Sequence, residues 1–189
     1  SRGAIISMLL ASACPERVEH LVLFDAVYPQ AVPDENFSAQ LRKSLQDKPR
    51  LLDRPHRVFA TVEQAVAFRR DRGRPADVAL ELVQRNLQAC EGGYRWTTDP
   101  RLQGASAVKL TEGQIHSALK GLSMPTLLLL AEDPARQYPE LADTVGNYID
   151  RLLVEVVAGG HHFHMEPGVP EVARRVEHFL KLNEGPESA

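Results

Sequence analysis

Nothing in this sequence of 189 residues approaches the roughly 18 consecutive apolar residues needed to span a bilayer. Its longest apolar run, after Pro125, is the length of a strand. No basic flank followed by an apolar core opens the chain, so the first residues are not a signal peptide. A basic surplus is also lacking. The formal net charge of -3 argues against a nucleic-acid partner or an anionic membrane surface. Cysteine is scarce: Cys14 and Cys90 make neither a disulfide framework nor a metal cluster, and they fit a reducing, cytoplasmic compartment. Methionine is missing from the first position, which Ser1 occupies, so the start is expected to be a cut or a processed terminus. What remains, 43% hydrophobic and 25% charged residues, is ordinary for a globular domain with a real core.

Along the chain, Ser1-Arg2-Gly3-Ala4 leads into an apolar, small-residue run to Cys14, which is apolar on nearly all sides as a buried helix should be. Pro15 ends it. Leu21-Val22-Leu23-Phe24 is a short continuous apolar run, the pattern of a strand buried on both faces of a parallel sheet, and Asp25 stands at its end. Thr126 to Leu130 and Leu152 to Val157 repeat that pattern, ending in Ala131-Glu132-Asp133-Pro134 and in Gly159-Gly160-His161. Val172, Val176, Phe179 and Leu180 mark one face of a closing helix.

Between Tyr28 and Leu122 charge density rises, prolines recur and the apolar spacing becomes helical, which predicts an inserted helical lobe. Within it, Glu91-Gly92-Gly93 reads as a reversal followed by an alternating Tyr94-Arg95-Trp96, and Thr111-Glu112 opens a helix to Leu119. The expected organisation is therefore core over 1–28, insertion over 29–122 and core over 123–189. Alternating strands and helices predict an α/β class with a parallel sheet covered on both faces. The basic runs Arg42-Lys43 and Arg69-Arg70-Asp71-Arg72 read as solvated helix faces, and Tyr94 and Trp96 as packing residues.

In such sheets chemistry collects beyond the C-terminal ends of the strands. Ser1, Asp25, Asp133 and His161 all fall at strand ends or helix starts on that edge. A serine hydroxyl needs an imidazole to take its proton, and the imidazole needs a carboxylate to hold its tautomer. Ser1-Arg2-Gly3 supplies the second half of a Gly-x-Ser-x-Gly elbow, although an N-cap serine would look the same. Ser1 is thus the candidate nucleophile and His161 the candidate base. The candidate acid is Asp133, with Asp25 as the alternative. The backbone N–H of Arg2 would be an oxyanion donor at a helix start.

Three blocks, Ser1-Arg2-Gly3-Ala4 through Asp25, Met124-Pro125-Thr126-Leu127-Leu128, and Gly159-Gly160-His161-His162-Phe163-His164-Met165-Glu166, resemble the α/β-hydrolase superfamily in order. Gly92 through Leu102 resembles, more narrowly, the serine hydrolase-like proteins. The resemblance implies that the first histidine after the glycines is catalytic. It also implies a partial α/β-hydrolase fold: the C-terminal strands of the sheet with a helical cap inserted. On the order of 100 upstream residues would then be absent, and a chain of this length is expected to fold poorly and turn over little by itself. The implied activity is cleavage of carboxylic esters or related acyl compounds through an acyl-enzyme. No cofactor and no metal are implied, and the partner is a small acyl substrate. The resemblance also adds the peroxisome as a second location. The competing reading is a non-catalytic relative or truncated isoform that acts by binding. An N-terminal-nucleophile hydrolase, with the α-amine of Ser1 as base, fits less well because Ser1 opens a buried helix.

Overall fold

The computed structural model describes residues 2–72, 76–132 and 141–184. The chain forms two compact units, one from residues up to Pro33 and from Leu110 onward, the other from Asp34–Lys109.

The first unit is built on three parallel strands, β1 (Leu21–Phe24), β5 (Thr126–Ala131) and β6 (Leu152–Val157), in the order β1-β5-β6. The register pairs Leu21 with Thr126 and Phe24 with Leu129, then Thr126 with Leu152 and Ala131 with Val157. The central strand carries the longest apolar run because both of its faces are covered. Leu128 points into a core shared with Met8, Ala11, Leu23, Ile115, Leu119 and Val145. Those residues bring α1 (Arg2–Ala13), α5 (Glu112–Lys120) and α6 (Leu141–Gly146) onto one face. Leu127 and Leu129 point the other way, to Val157, Phe163, Val172 and Phe179, the last two on α7 (Val169–Asn183). Each fully buried leucine contributes about 1.5–3 kcal/mol relative to exposure, so β5 is the main anchor of both layers.

Local sequence accounts for the helix ends. Pro15 stops α1 one residue after Cys14. Thr111 and Gln114 form a reciprocal capping box at the start of α5, with the Thr111 N–H donating to Gln114 Oε1 at 3.0 Å. At the other end of α5, a Cβ on Gly121 would collide with Ser12 of α1, so glycine there permits the close approach of the two helices. The stretch from Glu112, which the sequence pattern assigns to the insertion, packs within the first unit through Ile115 and Leu119. Helix α1 is less enclosed than its apolar sequence predicts. Met8 and Ala11 are buried, whereas Ile6 and Leu10 are both 60% exposed.

The second unit contains α2 (Phe37–Leu52), α3 (Val62–Arg70) and α4 (Ala76–Asn86), the last two at the positions where the helical spacing falls. It is not purely helical. Three short strands, β2 (Val58–Phe59), β3 (Leu87–Cys90) and β4 (Gly93–Trp96), form an antiparallel sheet in the order β2-β4-β3. The reversal at Glu91-Gly92 joins β3 to β4, and Gly92 (φ 78°) and Gly93 (φ 138°) adopt backbone conformations that only glycine takes cheaply. Phe59, Ala65 and Val83 form this unit's own core, against Phe68 and Trp96.

Candidate functional site

Asp25 and His161 meet at the C-terminal edge of the parallel sheet. Asp25 follows β1 directly, and its N–H continues the ladder by donating to the Leu129 carbonyl at 2.8 Å. Its φ of 50° lies in the left-handed region, where aspartate is among the few residues with a side chain that are enriched. Such strain persists where the surroundings over-determine it. Here they do: the Ala131 N–H, at the end of β5, donates to Asp25 Oδ1 at 2.9 Å. The other oxygen, Oδ2, lies 2.6 Å from His161 Nδ1.

The carboxylate is almost fully enclosed, with 4% of the side chain exposed, while the imidazole keeps 23%. A carboxylate can only accept, so Nδ1 carries the proton and Nε2 is left as the basic nitrogen. A short hydrogen bond between a buried carboxylate and a partly exposed imidazole orients the ring and stabilises it when it gains a proton.

The loop after β6 presents that imidazole. Gly159 (φ 117°) makes the turn, and a Cβ there would lie 2.7 Å from Glu166 Oε2 and 3.2 Å from Phe163 Cβ. The Gly160 N–H donates to Glu166 Oε2 at 3.1 Å, tying the two ends of the loop together. Phe163 is fully buried and packs edge-to-face on Phe24 of β1, with 5.7 Å between ring centroids. His164 stacks on the same Phe24 ring at 5.4 Å. The loop is thereby anchored to the strand that carries Asp25. Glu166 has no role that composition or spacing could assign. Its only sequence signal is a carboxylate a few residues beyond a glycine pair.

Of the residues singled out in the sequence, Asp25 and His161 are brought together. Arg2 is the first residue of α1. Ser1 and Asp133 lie outside the described residues. His162 sits beside His161, with 4.6 Å between ring centroids.

No protein-family model matches the chain. A serine hydrolase-like protein of Dictyostelium discoideum is 24% identical over 184 residues, covering 88% of this chain and 50% of that protein. A hypothetical protein from Pseudomonas aeruginosa superposes with a TM-score of 0.84 at 32% identity, over 94% of this chain and 64% of that one. The thioesterase domain from the curacin biosynthetic pathway superposes with a TM-score of 0.73 at 22% identity, over 94% and 63%. The fold is that of the α/β-hydrolases. The chain spans half the length of the curated relative and under two thirds of these solved structures. Within the α/β-hydrolase frame, β1, β5 and β6 are consecutive parallel strands of one sheet, and Asp25 and His161 occupy the edge where such sheets hold their chemistry. Among the described residues no helix is long and apolar enough to cross a membrane.

Proposed function

We propose that the protein is a serine hydrolase acting on carboxylic esters or related acyl compounds, with Ser1 as nucleophile, His161 as base and Asp25 as acid. The observation that carries this reading is the 2.6 Å contact between His161 Nδ1 and the buried Asp25 carboxylate. It leaves Nε2 ready to accept a proton, which is the task a serine nucleophile requires of it. The name of the Dictyostelium relative and the thioesterase neighbour agree with acyl chemistry.

In the proposed reaction His161 Nε2 takes the proton of the Ser1 hydroxyl as its oxygen attacks the acyl carbonyl. The carbonyl electron pair moves onto oxygen, and the N–H of Arg2 at the start of α1 stabilises the resulting oxyanion. On collapse, His161 returns the proton to the departing alkoxide or thiolate, leaving an ester on Ser1. Water then repeats the sequence, giving its proton to His161 and releasing the carboxylic acid. Asp25 stays ionised throughout and stabilises the imidazolium. Asp133 has no part in this scheme.

A fluorophosphonate probe tests the proposal, because it phosphonylates only a serine whose hydroxyl is activated. One adduct is expected in a protein that also carries the upstream part of the sheet, mapped to Ser1 by peptide mass spectrometry and lost in Ser1→Ala and His161→Ala. A folded protein that takes no probe would favour a non-catalytic, binding role.

A further inference from the structure

The second unit carries a cavity of about 880 Å³ whose lining is strongly basic. Arg54, Arg57, Arg69 and Arg72 line it, and no aspartate or glutamate among the described residues does. This concentration of charge occurs in a chain whose net charge is -3, so it is local to the cavity. The arginines come from two separate segments. Arg54 and Arg57 follow α2, whereas Arg69 and Arg72 lie at the C-terminal end of α3.

Three of the four guanidinium groups lie against aromatic rings. Arg57 and Arg72 both lie over the Phe68 ring, at 4.6 and 3.6 Å from its centroid, and Arg69 lies over Trp96 at 4.4 Å. Arg72 further donates to the Phe68 carbonyl at 3.2 Å. Stacking on an aromatic face leaves the N–H edge of a guanidinium exposed and oriented, and that edge matches two oxygens of a phosphate. Among the described residues no carboxylate pairs with Arg54, Arg57 or Arg72. Like charges gathered on one cavity repel one another, and a bound polyanion offsets that repulsion.

We propose that this cavity binds an organic phosphate carrying at least two phosphate groups, of the class of a nucleoside diphosphate. The volume is of the size that encloses a small organic ligand. Four arginines offer more donors than the oxygens of one orthophosphate can accept, whereas a diphosphate adds acceptors to match them. The proposal is independent of the hydrolase reading, since it uses only residues of the second unit.

Trp96 is the only tryptophan in the sequence and lines the cavity beneath Arg69, so its fluorescence reports occupancy directly. The full chain is titrated with ADP and with inorganic pyrophosphate at constant ionic strength, with adenosine as the uncharged comparison. A saturable change with ADP and none with adenosine is expected. If pyrophosphate saturates as well, the diphosphate alone is the recognised element. If ADP saturates alone, the base contributes too. Arg57→Gln and Arg72→Gln, both at exposed positions, are each expected to weaken binding about tenfold through the loss of a charge-assisted hydrogen bond. Arg174→Gln, in the first unit, leaves binding unchanged. Absence of a saturable response to both ADP and pyrophosphate overturns the proposal, as does undiminished affinity in Arg57→Gln and Arg72→Gln proteins of unchanged circular dichroism.

Discussion

Asp25 illustrates how much a single residue can be asked to do. It ends a strand, bends the backbone into the left-handed region, receives the Ala131 N–H and meets His161. From the sequence the acid was narrowed to two aspartates, because Asp25 and Asp133 both satisfy the rule that chemistry gathers at strand ends. Periodicity cannot separate them, since reaching one imidazole depends on the path of the histidine loop in three dimensions. That loop supplies a prediction at the same scale. Gly159→Ala would force a side chain onto a φ of 117° and against Glu166, at a cost of about 1–3 kcal/mol. Thermal unfolding should record that loss, and on the proposed reading turnover of an activated ester should fall with it through displacement of His161. An unchanged melting temperature would mean that the loop relaxes freely.

Among the elements, β5 was the most legible, because burial on both faces leaves an uninterrupted apolar signal. Its alternate leucines feed opposite cores, so Leu128→Ala is expected to cost about 2–5 kcal/mol in chemical denaturation. Helix α1 departs from its own pattern. Its composition says buried all round, but Ile6 and Leu10 lie exposed, so Ile6→Ser is expected to change stability by less than about 0.5 kcal/mol. A loss as large as that of Leu128→Ala would show that Ile6 is enclosed after all.

The link between α7 and β6 is electrostatic at its surface. Arg175 donates to Glu155 at 2.6 Å and to Glu171 at 2.7 Å, and the hydrogen bond from Arg175 lowers the Glu171 pKa below its ordinary 4.5. A carboxylate depressed in the folded state stabilises above its unfolded value, and that contribution is lost as pH falls through the folded one. Urea midpoints measured from pH 6 down to pH 3 should therefore fall less steeply in Glu171→Gln than in the unsubstituted protein. Parallel curves would show that the pair does not contribute to folding.

Taken whole, the molecule divides between what local pattern can encode and what only the folded chain assembles. The three parallel strands were visible as apolar runs, and α3, α4 and α7 as periodicity, whereas α2 was legible only as part of a helical insertion. The small antiparallel sheet was half visible, through its glycine turn and the alternation of Tyr94 to Trp96; the two-residue strand Val58–Phe59 is too short to leave a pattern. The arginine-lined cavity was invisible, because its two segments each look like an ordinary solvated stretch until folding sets them side by side. The pairing of Asp25 with His161, 136 residues apart, was partly visible: both fall on one sheet edge in the sequence, but their contact is assembled only by the folded chain.

The most direct measurement is therefore a kinetic comparison of Asp25→Asn and Asp133→Asn on an activated ester, each variant first shown to retain its circular dichroism. With Asp25 as the partner of His161, Asp25→Asn should lower kcat by about 10⁴-fold, as expected when the imidazole loses the carboxylate that sets its tautomer. Asp133→Asn should leave kcat close to that of the unsubstituted protein. The reverse pattern, with Asp133→Asn inactive and Asp25→Asn spared, would contradict the account.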